Sequence, residues 1–334
     1  MANRVRRTIV QRKNDPYIYL FVAGEWYCYN PEESPLGSGA MGDVYRGYRC
    51  KTGEMVAVKR VKDYYANNHM IRERAKQEAS LAFRHPNLVE MVGYCEYAPD
   101  SGPIFILSHY VHGEDIDKYI KKFADMPNRV EKICSAVCSV LDALDYVHSR
   151  GVIHRDIKPS NIMIENDSNV RLMDLGISRM NGGNKFSQYG FIGTPQYSAP
   201  EQIKRDAQNG SNVINATTDI YELGITFYEL LTGKNPMDQP SEAETLVRQV
   251  RDSLPSNPDI PAKLMRVIWK ATEKEQYKRY QTAMEFKQAI NDALQPEPPL
   301  GQRIAVWMQG HAVALGVALV VLAVLALIFT LLIL

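Results

Sequence analysis

A polar stretch with apolar ends, VIHRDIKPSNIMI at positions 152–164, holds the residue types best suited to chemistry. Asp156, Lys158 and Asn161 supply a carboxylate, an ammonium group and an amide within six positions, and the apolar ends indicate a loop held between buried segments. A carboxylate can orient a hydroxyl group, an amide oxygen can bind Mg²⁺, and a lysine can offset charge on a moving phosphoryl group. The stretch therefore predicts a phosphoryl-transfer site.

Two further charged residues accompany apolar strand patterns. Asp174 follows the run VRLM thirteen residues after Asn161, and Gly176 just beyond it permits a sharp turn. This position indicates a second carboxylate for a metal ion. Lys59 lies within MVAVKRV, among apolar residues. Because a lysine in such surroundings is costly unless it meets an anion, Lys59 alone fits either an anion contact or an edge strand whose lysine reaches water.

The segment LGSGAMGDVYRG contains Gly37, Gly39 and Gly42. Alone, the Gly-x-Gly-x-x-Gly pattern fits a dinucleotide-binding turn, which opens a helix, or a chance loop. Here the glycines run into VYRGYRC, which has the composition of a strand. A glycine hairpin is therefore favoured, in which missing side chains let backbone N–H groups approach phosphate oxygens.

The elements that must position these residues divide the chain into a β-rich part and a helical part. Strand-forming runs dominate up to about residue 110, including an aromatic hairpin that turns at Ala23-Gly24, with one helix among them. Later apolar stripes and a stop at Gly233 predict long helices. We predict an α+β, two-lobed fold with an N-terminal extension (1–30), a β-rich lobe (about 31–110), a helical lobe (about 111–294), a Pro-rich linker (295–311) and a membrane helix (312–334).

The C-terminal residues 312–334 contain no charged side chain. As a helix rising about 1.5 Å per residue they extend roughly 34 Å, enough to cross a hydrocarbon core of about 30 Å. A buried core helix is the alternative, but such helices are usually shorter and interrupted by polar positions. We therefore expect a single-pass C-terminal membrane anchor, with the two lobes in the cytosol.

Composition excludes other classes of function. With 39 basic and 38 acidic residues, the net charge is +1, which argues against bulk electrostatic binding to nucleic acid. The five cysteines lack the spacing of a zinc site and indicate a reduced, cytosolic chain. The basic N-terminus has no apolar run of the length of an export signal behind it.

Taken in order, these motifs resemble those of the eukaryotic-type (Hanks-type) Ser/Thr protein kinases, and the apolar tail resembles the bacterial membrane-anchored kind. The resemblance covers about residues 33–294. It implies a bilobal protein kinase fold over 31–294, ATP with Mg²⁺ (or Mn²⁺) as cofactors, and proteins as substrates. The nucleotide-binding residues that it implies are Leu36, Gly37, Gly39, Gly42, Val44, Lys59, His109 and Val111, and the metal ligands are Asn161 and Asp174.

The resemblance also implies roles for other residues. Asp156 would act as the base or hydroxyl-orienting residue, Lys158 would stabilise the transferred phosphate, and Lys59 would pair with a glutamate of the small-lobe helix. Lys158 with Thr194 is the pairing typical of Ser/Thr rather than tyrosine kinases. The structural and substrate-docking residues that it implies are Arg155, which would hold an activation-loop phosphate, Thr194, the pair Glu201 and Arg279, and Asp219, which would anchor the catalytic loop.

Three departures from the family pattern stand out. Leu175 replaces the usual Phe after the metal-binding aspartate, and Ser108 is a small residue at the position that borders the adenine pocket. The glutamate partner of Lys59 is ambiguous, because Glu78 lies seven residues before His85 where nine is common. A shift of two residues turns a helix by about 200°, so Glu73 is the second candidate.

The loop between Asp174 and Glu201 is rich in Gly and Asn, and within it Ser187 and Tyr189 are candidate autophosphorylation sites.

Three other classes of protein are weighed against a kinase. A pseudokinase would bind nucleotide and partners without catalysis, but it would lack at least one of Lys59, Asp156, Asn161 and Asp174. A non-enzymatic membrane anchor or scaffold for partners is supported by the Pro-rich linker and the apolar span, and scaffolding could accompany catalysis. A small-molecule phosphotransferase usually lacks the Gly-rich loop. A homodimer through the apolar helix is a further expectation.

Overall fold

The computed structural model describes residues 8–39, 42–63, 69–80, 83–98, 101–166, 168–174, 186–187, 190–191, 194–204, 214–296, 301 and 311. Those up to Ala293 form one compact unit, and those from Leu294 onward belong to a separate one. The first unit has the β-rich and helical lobes that the sequence predicts.

The small lobe is built on an eight-stranded antiparallel sheet in the order β1-β2-β3-β5-β6-β8-β7, with β4 paired to β5. Its strands are β1 (Ile9–Gln11), β2 (Ile18–Val22), β3 (Glu25–Tyr29), β4 (Gly37–Ser38), β5 (Gly42–Arg49), β6 (Met55–Val61), β7 (Met91–Ala98) and β8 (Ser101–His109). Alternation in β6 places Val56 and Val58 on one buried face and Lys59 on the other, and this alternation turns Lys59 towards the cleft.

The N-terminal extension is an integral part of this sheet. β2 and β3 form the predicted hairpin, with Ala23 and Gly24 in left-handed conformations (φ 48° and 87°) as a tight two-residue turn requires. Leu20, Val22, Tyr27 and Tyr29 on these strands pack with β6 and β8 into one buried cluster. The sequence did not predict β1, which pairs with β2 and extends the ordered extension back to residue 9.

Helix α1 (His69–Ser80) packs against β7 and β8. Its Arg72 is almost fully buried and donates to Glu96 Oε2 at 2.7 Å and to the Gly102 carbonyl at 3.0 Å. Because a buried charge needs both a partner and hydrogen bonds, this pair fixes the helix to the β7–β8 hairpin.

The large lobe surrounds a continuous apolar core, to which α3 contributes one face and α5 most of its residues. Its helices are α2 (Ile116–Lys121), α3 (Arg129–His148), α4 (Pro200–Ile203), α5 (Ala216–Thr232), α6 (Glu242–Arg251), α7 (Ala262–Ala271) and α8 (Ala283–Leu294). Gly233 ends α5 in a left-handed conformation (φ 73°), as predicted. A small sheet of β9 (Gly113–Asp115), β10 (Ile162–Glu165) and β11 (Asn169–Leu172) lies at the junction of the lobes.

The predicted membrane helix, 312–334, lies outside the described residues. Among the residues that are described, no helix combines the length and the apolar character needed to cross a bilayer. The bounds predicted for the extension, lobes, linker and anchor remain predictions.

Candidate functional site

The 152–161 loop is held from below by Asp219, a fully buried carboxylate in α5. Its Oδ2 accepts hydrogen bonds from His154 N at 2.8 Å and lies 2.7 Å from His148 Nε2, and its Oδ1 accepts from Arg155 N at 2.7 Å. Arg155 has a left-handed backbone (φ 66°), a conformation that is costly for a residue other than glycine. The carboxylate therefore fixes a bent loop that the backbone alone would not favour.

The charges beneath the loop are set by burial and hydrogen bonding. Burial favours the neutral acid, yet the hydrogen bond from His148 and that from the Arg155 N–H hold the pKa of Asp219 below its usual value. Burial lowers the pKa of His154, so its ring is neutral at pH 7. Its Nε2 lies 2.8 Å from the Met173 carbonyl and must carry the proton, while Nδ1 accepts from Asp156 N at 3.3 Å. His154 thus links the loop to the residue that precedes Asp174.

Four of the predicted residues meet at the top of this loop. Lys158 Nζ lies 3.1 Å from Asp156 Oδ2 and donates to Thr194 Oγ1 at 2.9 Å, and Thr194 Oγ1 donates to Asp156 Oδ1 at 3.1 Å. Asn161 Nδ2 donates to the carbonyl and the carboxylate of Asp156, at 2.7 and 3.1 Å. The carboxylate is held in a fixed orientation, and a cation stands beside it.

Asp174 comes to the same cleft from the other side. It follows β11, and Met173 N donates to the Asn161 carbonyl at 2.9 Å, which joins the two candidate metal ligands through the backbone. Asp174 Oδ2 lies 3.4 Å from Lys59 Nζ, and half of the Asp174 side chain is exposed. Lys59 therefore meets an anion, and the alternative of an edge lysine that only reaches water is wrong.

The glycines of the β4–β5 hairpin divide by role. At Gly42 an added Cβ would lie 2.4 Å from the Arg60 carbonyl oxygen, so close packing against β6 requires glycine there. Among the described residues, no atom lies within 4 Å of a Cβ added at Gly37, and the nearest atom to a Cβ added at Gly39 is 3.7 Å away. Packing against the described residues therefore does not require glycine at these two positions, which is compatible with a ligand that approaches the backbone. Leu36 N donates to the Val44 carbonyl at 2.7 Å and closes the hairpin.

The segment between the lobes runs from Ser108 to Val111. Ser108 is opposite Ala57 of β6, and Val111 is buried. The His109 imidazole lies 3.8 Å from Glu54 and 3.9 Å from Glu90. His109 and Val111 also line a cavity of about 480 Å³ whose lining includes none of the residues grouped around Asp156 and Asp174.

Of the two candidate partners of Lys59, the structure describes the side chain of one. Glu73 is half exposed and contacts Lys76 at 3.1 Å. The side chain of Glu78 lies outside the described part of the structure. The choice between Glu78 and Glu73 therefore remains a prediction.

Glu201 and Arg279 form the predicted bridge in the large lobe. Their side chains are 3% and 0% exposed, and the two hydrogen bonds of the bidentate pair measure 2.8 and 2.9 Å. Thr218 Oγ1 also donates to Glu201 at 2.8 Å. The pair joins α4, which follows the 194–199 segment, to the loop after α7.

Other sequence-predicted positions are described only in part. The backbone of Ser187 belongs to β12 (Phe186–Ser187), which pairs with β13 (Gly190–Phe191). Tyr189 and Leu175 lie outside the described residues. Arg155 is buried, and its carbonyl accepts from Gln202 at 3.4 Å.

The donor set fits a divalent cation bound together with a nucleotide. Asn161 uses its amide nitrogen for both contacts with Asp156, which turns the amide oxygen away as a candidate ligand, and Asp174 adds a carboxylate. Mg²⁺ is usually held by one or two protein oxygens together with substrate phosphates. Among the described residues there is no group of three or more His, Cys, Asp or Glu side chains that could hold a metal ion.

Sequence reasoning missed several residues that support the site. Glu222 Oε2 accepts from Ile157 N at 2.8 Å, and Thr226 Oγ1 donates to the Ile157 carbonyl at 3.3 Å. Both lie on α5 one and two turns beyond Asp219. The signal available was a polar residue within an otherwise apolar helix, which is costly unless it has a partner.

Comparison with known proteins identifies this arrangement. The protein kinase domain family matches residues 31–298. A probable serine/threonine-protein kinase PknB of Lactococcus lactis is 31% identical and the PknB of Mycobacterium tuberculosis 32% identical, with 73% and 80% of this chain covered. The chain spans only 39% and 43% of the length of these two relatives.

Solved structures agree. The crystal structure of the M. tuberculosis PknI kinase domain matches with a TM-score of 0.58 and 25% identity, over 81% of this chain and 97% of that one. With the family match covering more than half of the sequence, this chain belongs to the protein kinase family, among the Hanks-type serine/threonine kinases known from bacteria.

Proposed function

We propose that the chain is an ATP-dependent serine/threonine protein kinase that transfers the γ-phosphate of ATP to Ser or Thr hydroxyls of proteins. The observation that carries this proposal is the joint orientation of Asp156 by Lys158, Thr194 and Asn161. The relatives named as serine/threonine kinases support the same activity. Phosphoryl transfer needs positioning and charge neutralisation more than covalent chemistry, and an oriented Asp156 with Lys158 beside it supports both roles.

Each side chain has a distinct task in this proposal. Asp156 accepts a hydrogen bond from the acceptor hydroxyl and takes up its proton as the oxygen bonds to the γ-phosphorus. The bond between the γ-phosphorus and the bridging oxygen breaks in the same transfer, and ADP leaves with that oxygen. Lys158 lies beside Asp156 and offsets charge on the transferring group. Thr194 bonds to both of these side chains and so ties the 194–199 segment, where we place the protein substrate, to the reacting groups.

The nucleotide and its metal are assigned to the opposite wall. Leu36, Gly37, Gly39, Gly42 and Val44 cover the phosphates, and Lys59 binds them with its ammonium group.

Asn161 and Asp174 hold Mg²⁺ or Mn²⁺, which when bound neutralises phosphate charge. Lys59 Nζ lies 3.4 Å from Asp174 Oδ2. One bound nucleotide can therefore contact Lys59 directly and Asp174 through its metal ion. Glu78 is the proposed helix partner of Lys59, and the backbone of His109 and Val111 is proposed to contact adenine.

The test is Mg²⁺-dependent phosphorylation of the chain itself and of myelin basic protein. Asp156→Asn should lower turnover by about 10²- to 10⁴-fold, because general-base assistance is worth that much, while nucleotide binding persists. The matched control is Asp117→Asn on an exposed turn of α2, which should leave turnover unchanged. If the wild-type protein shows no Mg²⁺-dependent turnover, a pseudokinase or membrane-anchored scaffold that binds nucleotide and partners replaces this proposal.

Further proposals concern regulation and location. We assign autophosphorylation to Ser187 or Tyr189, which phosphopeptide mapping after incubation with ATP tests. The apolar stretch 312–334 supports membrane anchoring and a homodimer through that helix, with the kinase domain in the cytosol. Flotation of the full chain with lipid vesicles, compared with a chain ending at residue 296, tests the anchor.

A further inference from the structure

The amide of Gln249 lies directly beneath the 194–199 segment. Gln249 is on α6 and is fully buried. Its Nε2 donates to the carbonyl oxygens of Pro195, at 3.3 Å, and of Gln196. A buried side chain amide that bonds two consecutive carbonyls holds a stretch of backbone at a defined height above the helix.

The direction of this amide is fixed by its partners. The carbonyl oxygens of Pro195 and Gln196 can only accept, so the end of the amide that faces them is the nitrogen. The oxygen end, Gln249 Oε1, then faces Tyr221 and accepts from its hydroxyl at 2.7 Å. Lys274 Nζ donates to the Tyr221 oxygen at 2.7 Å and to the backbone carbonyl of Gln249 at 2.9 Å.

Backbone geometry carries this support along the 194–199 segment as far as Thr194. Pro195 follows Thr194, whose hydroxyl bonds to both Lys158 and Asp156. Within the segment, Tyr197 N donates to the Thr194 carbonyl at 3.1 Å, and Ser198 Oγ donates to the same oxygen at 3.0 Å. A shift of the Pro195 and Gln196 carbonyls is therefore transmitted through one tight turn.

We propose that Gln249 is a positioning residue for the protein substrate, acting through the backbone of Pro195 and Gln196. The inference rests on the proposed kinase function, in which the 194–199 segment receives the acceptor protein. Within the described part of the chain, the hydrogen bonds of Gln249 reach neither Asp156 nor the proposed nucleotide-binding residues. Its proposed contribution is therefore to the affinity for the acceptor. Tyr221 and Lys274 orient the amide.

Hydrogen–deuterium exchange of the full chain tests positioning without any need for turnover. Gln249→Met keeps the side-chain length but removes the amide. Peptides that cover residues 194–199 should exchange about tenfold faster, because one buried hydrogen-bond donor to that turn is lost, whereas peptides from α5 should be unchanged. Gln288→Met is the matched control, since Gln288 is an exposed glutamine of α8.

Steady-state kinetics with myelin basic protein tests the consequence. In Gln249→Met the KM for this acceptor should rise about tenfold, with the KM for ATP within twofold and kcat within about threefold, the pattern of lost binding in a ground state. If Gln249→Met does not fold, Tyr221→Phe removes the hydroxyl that orients the amide and should raise the acceptor KM about threefold.

Outcomes separate the two levels of inference. Unaltered exchange at 194–199, or equal changes in the KM for ATP and for the acceptor, would overturn the role of Gln249 and leave the kinase function standing. A wild-type protein without turnover would refute the kinase function, and the exchange measurement would still decide whether Gln249 positions the segment.

Discussion

Replacing Asp219 by asparagine removes the charge that holds the 152–161 loop while keeping the size of the side chain. The two carboxylate oxygens share three donors, namely His148 Nε2, His154 N and Arg155 N. An asparagine has one oxygen, so in either orientation its NH₂ group faces a backbone N–H. At least one buried donor then loses its acceptor, and the remaining bonds lose their charge assistance.

The structure sets the size of this effect. A hydrogen bond to a charged group contributes about 1.5–3 kcal/mol, and an unsatisfied buried donor costs about 1–3 kcal/mol. Because Asp219 is fully buried, solvent cannot replace either loss. We expect Asp219→Asn to lower the free energy of unfolding by about 3–5 kcal/mol, similar to breaking other buried charged pairs. A displacement of the loop by about 1 Å would lower kcat by about 10²-fold.

Urea denaturation and initial rates with myelin basic protein measure the two effects on one preparation. Asp117→Asn, the same chemical change at an exposed ion pair with Lys121, should alter stability by less than about 0.5 kcal/mol. An Asp219→Asn protein that loses less than about 1 kcal/mol and keeps more than half of its kcat would refute the assignment of Asp219 as the anchor of the loop.

Three further changes give defined results. Arg279→Met should cost about 3–5 kcal/mol in urea denaturation, since Glu201 is left charged and buried; an unchanged midpoint would contradict this. Gly42→Ala should destabilise the protein by about 1–3 kcal/mol. Gly37→Ala should destabilise it by less than about 0.5 kcal/mol and should raise the KM for ATP. Equal urea midpoints for the two variants would contradict the difference in packing. The pKa of His154 is lowered in the folded protein, so the unfolded chain binds more protons at acidic pH. The free energy of unfolding should therefore decrease as the pH falls below about 6.5. A His154→Gln protein with the same pH dependence of unfolding would contradict this.

The chemistry of the site could be predicted because its parts are local in sequence. Asp156, Lys158 and Asn161 share one loop, and Asp174 follows β11, which pairs with β10 directly after that loop. Alternation in β6 also placed Lys59 on the face opposite the apolar core. In each case a repeat or a spacing of a few residues was enough to predict where the side chain lies.

The supports of the site could not be predicted, since they join distant segments. His148 and Asp219 are 71 residues apart, and Gln249 and Pro195 are 54 apart. Neither pair produces a periodic sequence pattern, and a glutamine on a helix is predicted from sequence to be exposed even where it is buried. The docking of the N-terminal hairpin on the sheet was missed for the same reason, because Val22 and Gly93 meet only in the folded lobe.

The most direct measurement is the binding of Mg²⁺ with a non-hydrolysable ATP analogue, titrated calorimetrically for the wild-type protein, Asp174→Asn, Asn161→Ala and Asp156→Asn. We predict that Mg²⁺ strengthens nucleotide binding in the wild-type protein, and that Asp174→Asn and Asn161→Ala each weaken the Mg²⁺-dependent part by about tenfold or more. Asp156→Asn should bind as the wild type does and fail only in turnover. Equal Mg²⁺-dependent binding by Asp174→Asn and the wild-type protein would contradict the assignment of Asp174 as a metal ligand.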